Sequence, residues 1–576
     1  MKLRTGLLML GVAMGCTTSH AQNISEIAQS DPLIITGAIG TQNTFYYSSQ
    51  GGESSSRWNN AIYANLNFQI YGINMPFSFT YNNSGSSFSY PHFTFSISPT
   101  YKGWTAYLGK HSMSMSNYVY NLTATGVGLE YHENNMRFGA FYGQLRKAIN
   151  DDPTDPLARS PQYGRYGWGV KAGYGSSRNY IDLFVFSARD RMGTLSEAWY
   201  TKVSPAHNLV LGVKGHTGYK RFSLSANFAT TFFTEDLNAQ PLDSAVIGRW
   251  DKIFDARLSS RYRFAGDVSA SWGWKVWNIT AQYKLVQPDY KTLGTNYMTN
   301  NIQSYGGSLS GSLFRGRVSV GGNFSGQNDN VTKRQRYTTN GYVYSANMGW
   351  MIAPSLTFNG SYNGYRQRQS DGTVKVTDSL RVDRQMHSAT GALNYSFSTR
   401  QSTHSFGLSH NFSRNLDRNP YATGESDVTT QASGANYTLG VKPIGMNFNF
   451  GYNHQLSKGY NNEFSTDMFT FGTSRSFLES KTLVFSLNAN ASRNKTQEQR
   501  TMSYGVSLSG NYTLKDAHVF SLIGSYNHYN NLYLTELTKM DGESYSISLN
   551  YNYSFTLLHL KKRAERQAAK QGKNQL

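Results

Sequence analysis

Apolar and polar residues alternate one by one along most of this chain. Near the carboxyl terminus one face of the pattern holds Tyr545, Ile547, Leu549, Tyr551, Tyr553 and Phe555, and the residues between them are Ser or Asn. The same alternation recurs at 62–70, 222–228, 446–452 and 483–491. Because successive side chains of a β-strand point to opposite faces, the pattern predicts strands with one apolar and one polar face.

The polar face consists mainly of Ser, Asn, Gly and Thr and carries few charges. A soluble β-sandwich usually exposes more Lys and Glu, whereas a membrane barrel turns apolar residues to lipid and small polar residues to a hydrated lumen. The pattern therefore predicts an all-β fold, a single large antiparallel transmembrane β-barrel over 33–558. Strands of about ten residues give roughly 24–26 of them, in an even number. A long extracellular β-sandwich, β-helix or adhesin repeat is the alternative.

The connections between the predicted strands fall into short and long classes. Short ones are Tyr71 to Asn74, Gly173 to Asn179, and Lys442-Pro443. Long polar ones are 150–163, 234–254, 326–336, 367–383 and 415–430. We expect the short class in the periplasm and the long class outside the cell, with both termini in the periplasm.

The amino terminus has the features of a secretory signal peptide over 1–21. Lys2 and Arg4 precede an apolar stretch from Leu7 to Met14, and Ser19-His20-Ala21 fits a cleavage site. Lipidation of Cys16 is the alternative. A short periplasmic segment, 22–32, leads into the barrel, so we expect no N-terminal plug domain. A basic periplasmic tail, 559–576, follows the barrel.

Composition supports export and narrows the choice of partners. Charged residues make up 15% of the chain and aromatic residues 14%, and the mean hydropathy is −0.51. No run of about 18 apolar residues, enough for a spanning helix, occurs in the predicted mature chain. The formal net charge is +20. In an exported protein this charge points to outer-membrane lipid and lipopolysaccharide, or to anions in a lumen, and not to nucleic acid.

The sequence offers no clear catalytic, cofactor-binding or metal-binding residue. His132-Glu133 lacks the second histidine of a zinc-protease motif, and neither a nucleophile elbow nor a phosphate-binding loop occurs. Asp151, Asp152 and Asp155 cluster in one loop. Their carboxylates could bind Ca²⁺, and the simpler alternative is an acidic loop exposed to solvent. We therefore expect no enzyme and no cofactor.

Two groups of side chains are candidates for roles in the barrel wall. Bases on the polar face would line the lumen and favour anions: Arg137, Lys171, Arg261, Arg263, Lys275 and Lys284. Aromatic residues near strand ends would form girdles at the membrane interfaces, with sugar stacking as the alternative: Tyr118, Tyr120, Tyr163, Tyr166, Trp168, Trp272, Trp274 and Trp277.

Two segments carry a resemblance to a known family. Ile73 to Tyr81 reads INMPFSFTY, and Tyr283 to Asn301 reads YKLVQPDYKTLGTNYMTNN. With the overall pattern, they resemble a large family of Bacteroidota outer-membrane β-barrel proteins. The resemblance implies export and an outer-membrane location, and it transfers no active-site residues.

The predicted size leads to a hypothesis about the lumen. Barrels of about 16 to 18 strands already leave an aqueous channel. We therefore expect the lumen of this larger barrel to be occluded by inward-folded loops or by a plug or periplasmic protein partner. Transport or translocation is the leading function. A non-conducting scaffold for outer-membrane complexes is the alternative, and an enzyme at the barrel rim is the third reading.

Signal cleavage after Ala21 is directly testable. Intact-mass measurement and amino-terminal sequencing of the protein from outer membranes should give a chain that begins at Gln22. A chain that begins with an acylated Cys16 would contradict this and support the lipoprotein alternative.

Overall fold

The computed structural model describes residues 31–83, 93–151, 159–199, 202–242, 254–478, 482–534 and 538–560. The predicted signal peptide and nearly all of the predicted basic tail lie outside these residues. The strands are β1 Leu33–Gln50, β2 Glu53–Ile70, β3 Ile73–Asn83, β4 Thr94–Ile97, β5 Thr100–Tyr101, β6 Trp104–His111, β7 Ala124–Glu133, β8 Met136–Arg146, β9 Gly164–Gly175, β10 Tyr180–Arg191, β11 His207–Tyr219, β12 Phe222–Thr234, β13 Ser260–Trp274 and β14 Trp277–Val286.

The second half continues with β15 Ile302–Leu313, β16 Val318–Asp329, β17 Tyr337–Ala353, β18 Leu356–Asp371, β19 Asp383–Ser398, β20 Ser402–Asp417, β21 Val428–Val441, β22 Met446–Lys458, β23 Glu463–Phe477, β24 Leu483–Lys495, β25 Gln499–Leu514, β26 His518–Tyr533 and β27 Thr538–Leu560. Single 3-10 turns lie at Glu197–Trp199, Phe314–Gly316, Asp378–Leu380 and Lys442–Ile444. Within the described residues, no helix is long and apolar enough to cross a membrane.

The strands form one closed antiparallel barrel. Each strand pairs with its neighbours in sequence, and β1 pairs with β27 from Leu33↔Leu560 to Gln50↔Gly542. β4 and β5 are two pieces of one strand, because both lie between β3 and β6 and are separated by Ser98-Pro99. Proline has no N–H to donate to a strand pair, which accounts for the break. In the described part of the chain the wall therefore has 26 strands, 27 segments less one, and the predicted even number of 24–26 is confirmed.

The two faces of the wall differ as the alternation predicts. On β25 the residues Met502, Tyr504, Val506 and Leu508 are exposed, and Thr501, Ser503, Ser507 and Ser509 lie between them on the other face. The exposed apolar face is the outer wall, because only contact with lipid makes such exposure favourable. Small polar residues face the lumen along β15–β27.

The connections divide by length between the two ends of the barrel. One end, here called the turn end, has short turns such as Tyr71-Gly72, Asn134-Asn135 and Lys275-Val276. The other end, the loop end, has the long connections, among them 147–163, 192–206, 235–259, 372–382 and 418–427. Asn134 and Asn135 have φ of 51° and 63°, the left-handed conformation that two-residue hairpins require. Both the first and the last strand reach the turn end.

Two arginine substitutions on β25 test which face of the wall meets lipid and which meets the lumen. Leu508 lies mid-strand on the outer wall with 60% of its side chain exposed, so Leu508→Arg should lower the free energy of unfolding by about 2–4 kcal/mol in lipid vesicles. Ser507→Arg, one residue away on the lumen face, should cost far less. Denaturant titration monitored by tryptophan fluorescence measures both, and equal losses would contradict the assignment.

Candidate functional site: two inward segments and the charged wall beneath them

The connection between β6 and β7, residues 112–123, does not extend beyond the barrel but packs against its inner wall. Val119 Cγ2 lies 2.7 Å from the position that a Cβ would take at Gly212 on β11, and Met115 Cε lies 2.8 Å from the corresponding position at Gly169 on β9. Real Cβ atoms do not approach other atoms this closely, so glycine on these strands makes room for the segment. Residues 112–123 are called the first inward segment below.

An aromatic cluster holds this segment in place. The ring of Tyr120 lies 4.6 Å from Phe141 on β8 and 5.4 Å from Phe186 on β10, measured between centroids. Tyr120 is only 1% exposed and Val119 is fully buried. Burial of each large side chain contributes about 1.5–3 kcal/mol. The cluster includes further inward residues of five strands: Phe184, Val210, Ala229, Ala265 and Val286.

The connection between β14 and β15, residues 287–301, lies against the first segment and is called the second inward segment. The Tyr290 hydroxyl donates to the Tyr118 carbonyl at 2.8 Å, and the Thr292 hydroxyl donates to the Val119 carbonyl at 2.9 Å. The Asn121 N–H donates to the Gly294 carbonyl at 2.9 Å. These bonds satisfy backbone groups that burial would otherwise leave unpaired. Burial raises the pKa of Tyr290, so its hydroxyl stays a donor.

Two polar side chains of the wall anchor the second segment. Asn208 on β11 accepts from the Leu293 N–H at 3.0 Å and donates to the Thr231 hydroxyl at 2.7 Å. Thr231 on β12 donates to the Lys291 carbonyl at 2.8 Å. Asn208 and Thr231 are both fully buried. A hydrogen-bond network this complete specifies one position for the segment on the wall.

A charged pocket of about 290 Å³ lies beneath the first segment, toward the turn end. Arg137 on β8 makes a bidentate pair with Asp182 on β10, at 2.7 and 2.9 Å. Glu130 on β7 accepts from Lys171 Nζ at 3.4 Å and from the Tyr107 hydroxyl at 2.7 Å. In each pair the base and the acid neutralise each other, and the two pairs fix the geometry of the pocket wall.

Lys214 on β11 gives the pocket a surplus of positive charge. Its backbone is paired with that of Asp182, but the ammonium makes no ion pair within the described part of the chain. The pocket thus has three permanent bases, Arg137, Lys171 and Lys214, against the two acids. Arg137 also stacks over the Tyr180 ring at 4.3 Å. The arrangement suits a small anion that needs one charge partner.

The structure places most of the predicted lumen bases on the inner face. Arg137, Lys171 and Lys284 lie beneath the first segment, with Lys284 opposite Asp267 and 5.9 Å from the Tyr118 ring centroid. Arg261 and Arg263 lie nearer the loop end and pair with Asp289 of the second segment. Lys275 was predicted wrongly, because it occupies the β13–β14 turn with φ of 52°.

The structure turns some of the predicted girdle residues outward and buries others. Trp168, Trp272 and Trp274 are exposed on the outer wall. Tyr118, Tyr120 and Tyr163 are buried instead. The first two belong to the first inward segment, and Tyr163 packs with Leu195 and Trp199 between two loops. A run of aromatic residues outside strands therefore marks packing and not the membrane interface.

The acidic loop gives no support to the Ca²⁺ hypothesis. The Asp151 carboxylate accepts from Arg159 Nε and Nη2, both at 2.8 Å, and this pair lowers the pKa of Asp151 to about 2. Asp152 and Asp155 lie outside the described residues. Within the described residues, no group of three or more His, Cys, Asp or Glu is placed to hold a metal ion.

One serine–histidine pair lies at the loop end, where a rim enzyme would need it. Ser187 Oγ and His207 Nε2 are 3.3 Å apart. Both residues are buried, and the imidazole stacks on Phe254 at 5.2 Å. His207 Nδ1 has no hydrogen-bond partner in the described residues, so the third group that would orient a catalytic base is missing there.

The charged pocket includes residues that the sequence reasoning missed, namely Glu130, Asp182 and Lys214. A signal for the covered wall above this pocket was present in β10, where the apolar Phe184, Phe186 and Ala188 alternate with the apolar Leu183 and Val185. Such a strand is apolar on both faces, so its inner face must be covered. Nothing in the alternation says which connection covers it.

Comparisons with known proteins give weak likenesses only. The chain matches no protein-family model and no curated protein. The translocation pore of the P pilus usher PapC is 12% identical, with 91% of this chain and 100% of that chain covered and a TM-score of 0.34. Acinetobacter baumannii OccAB2 is 11% identical over 91% and 98% of the chains, with a TM-score of 0.32. Pseudomonas aeruginosa OccK2, solved with glucuronate, is 10% identical over 62% and 97%, with a TM-score of 0.32.

Proposed function

We propose that this protein is an outer-membrane barrel that passes solutes or a larger substrate through its lumen, and that the two inward segments set the width of the passage. The observation that carries the proposal is the packing of residues 112–123 and 287–301 against the inner wall of β8–β14. A scaffold that conducts nothing has no need for glycines that make room for inward segments, for polar side chains that hold those segments, or for ion pairs beneath them.

The location follows from the wall and its ends. An apolar outer face, an even number of strands and long connections at one end are typical of outer-membrane barrels. The loop end would then face outward and the turn end the periplasm. Lipid and lipopolysaccharide are the expected neighbours of the outer wall, and a periplasmic plug protein would have access from the turn end.

Solute selectivity is the second part of the proposal. The inner face of β15–β27 carries mainly neutral Ser, Asn and Thr, so the charged pocket on the opposite side is the main field that a solute meets. Its surplus positive charge favours anions over cations. Occlusion is partial in this proposal, because the inward segments pack on one side of the wall.

Loosening the first inward segment should widen the passage. Tyr120→Ala removes a buried ring and weakens the docking of residues 112–123 by about 3 kcal/mol. We expect larger and more fluctuating single-channel steps in a planar bilayer than for the unaltered protein. Tyr421→Ala, in the 418–427 connection at a side chain that is 67% exposed, is the matched control. If folded Tyr120→Ala protein gave single-channel steps identical to those of the unaltered protein, the first segment would not lie on the conduction path.

Removing the unpaired ammonium should change ion selectivity. Lys214→Gln should reduce the preference for anions, and Lys214→Glu should reverse it, because the pocket then loses its surplus positive charge. Reversal potentials in a salt gradient measure both variants. Lys515→Gln, in the exposed β25–β26 turn, is the control and should leave the reversal potential unchanged. An unchanged reversal potential in the two Lys214 variants would show that the pocket lies off the path.

A further inference from the structure

The outer wall has an apolar groove of about 910 Å³ across β20–β25. Its floor is formed by Ala435, Ala489 and Ala491. Aromatic side chains border it, among them Tyr452, Phe469 and Tyr504. The groove lies on the face that meets lipid, near the middle of these strands.

The groove results from small residues placed opposite large ones. Ala435 is paired with Tyr452, and Ala491 is paired with Phe469. Directly opposite residues of antiparallel strands share a face with Cβ atoms about 5 Å apart, so each alanine leaves a space beside a ring. Phe469 is 58% exposed, and its ring forms a side wall of the space. An occupant in this part of a membrane must be apolar, and a fatty acyl chain meets that requirement.

A polar row caps the groove toward the loop end. His454, Asp467 and Arg493 are consecutive partners across β22, β23 and β24. Each lies two residues beyond a groove residue on its own strand, on the same outer face. His454 Nδ1 and the Tyr452 hydroxyl both lie 2.9 Å from Asp467 Oδ1. Asp467 is thus engaged by two neighbours.

Arg493 is the group in this row that is available to a ligand. Its side chain is exposed on the outer wall. It lies near enough to the Asp467 carboxylate to interact with it electrostatically, but it makes no direct ion pair with any carboxylate in the described ranges. Guanidinium groups bind phosphate through two parallel N–H donors. A cation directly above an apolar groove matches a ligand with an anionic head and hydrocarbon chains.

We propose that the groove and Arg493 form a binding site for one phosphorylated lipid of the outer leaflet. An acyl chain lies over Ala435, Ala489 and Ala491, and a phosphate of the headgroup contacts Arg493. The choice of leaflet rests on the proposed orientation, in which the loop end faces outward. A second copy of the barrel would cover the groove but would bring no phosphate to Arg493.

Lipid retention by purified protein tests the site, with diphosphoryl lipid A as the probe. The groove variant is Ala435→Phe/Ala491→Phe and the headgroup variant is Arg493→Gln. Their matched controls are Ala281→Phe on the outer face of β14 and Lys515→Gln in a periplasmic turn. Heat-modifiable migration in gel electrophoresis establishes that each variant is folded.

Native mass spectrometry after delipidation and titration should show one lipid A bound to the unaltered protein and to both controls. We expect Arg493→Gln to weaken binding at least tenfold and the groove variant to abolish it. Equal binding by all five proteins would show annular lipid only and overturn the site. Protein dimers lost in the groove variant would assign the groove to a second copy instead. These variants should keep the single-channel conductance, so failure of this site and failure of the channel proposal are distinguishable.

Discussion

Closure of the wall between β1 and β27 is the constraint on which the rest of the molecule depends. Every residue of β1 from Leu33 to Gln50 has a partner on β27. In hydrocarbon no water satisfies backbone N–H and C=O groups, so a sheet with free edges is not stable there, whereas a closed barrel is. The Thr44 and Ser548 hydroxyls, 2.9 Å apart on the lumen face, extend this pairing to the side chains. Closure also fixes the faces, because a register slip by one residue would turn every apolar side chain inward.

The closed wall provides two different inner surfaces. Along β15–β27 the lumen side carries small polar residues, which a hydrated space tolerates. Along β8–β14 it carries Phe141, Phe184 and Phe186 with glycines between them. This second surface must be covered, and the two inward segments cover it. Beneath them the paired charges of Arg137 with Asp182 and Lys171 with Glu130 mark the transition from packed interior to open lumen.

The wall could be predicted from the sequence because a strand in a membrane has a period of two and little freedom to depart from it. The location of the long and short connections followed from the same argument. Inward-folded loops were expected from the size of the barrel, but which connections fold inward could not be predicted, because a loop that folds into a lumen is recognised only by the surface it meets. Tyr118 and Tyr120 therefore looked like girdle residues, and Lys275 looked like a strand residue although it forms a turn. Lys214 was missed because its free charge matters only once Asp182, the acid beside it, is known to pair with Arg137 instead.

A disulfide across the seam tests the closed barrel most directly. The chain has a single cysteine, Cys16, which falls in the predicted signal peptide, so new cysteines would report without interference. In Thr44→Cys/Ser548→Cys protein, mild oxidation should form an intramolecular disulfide in nearly every molecule, seen as faster migration before reduction. Thr44→Cys/Leu549→Cys places the second thiol one residue away on the outer face and should form none. A disulfide in the second variant and not in the first would contradict both the register and the assignment of faces.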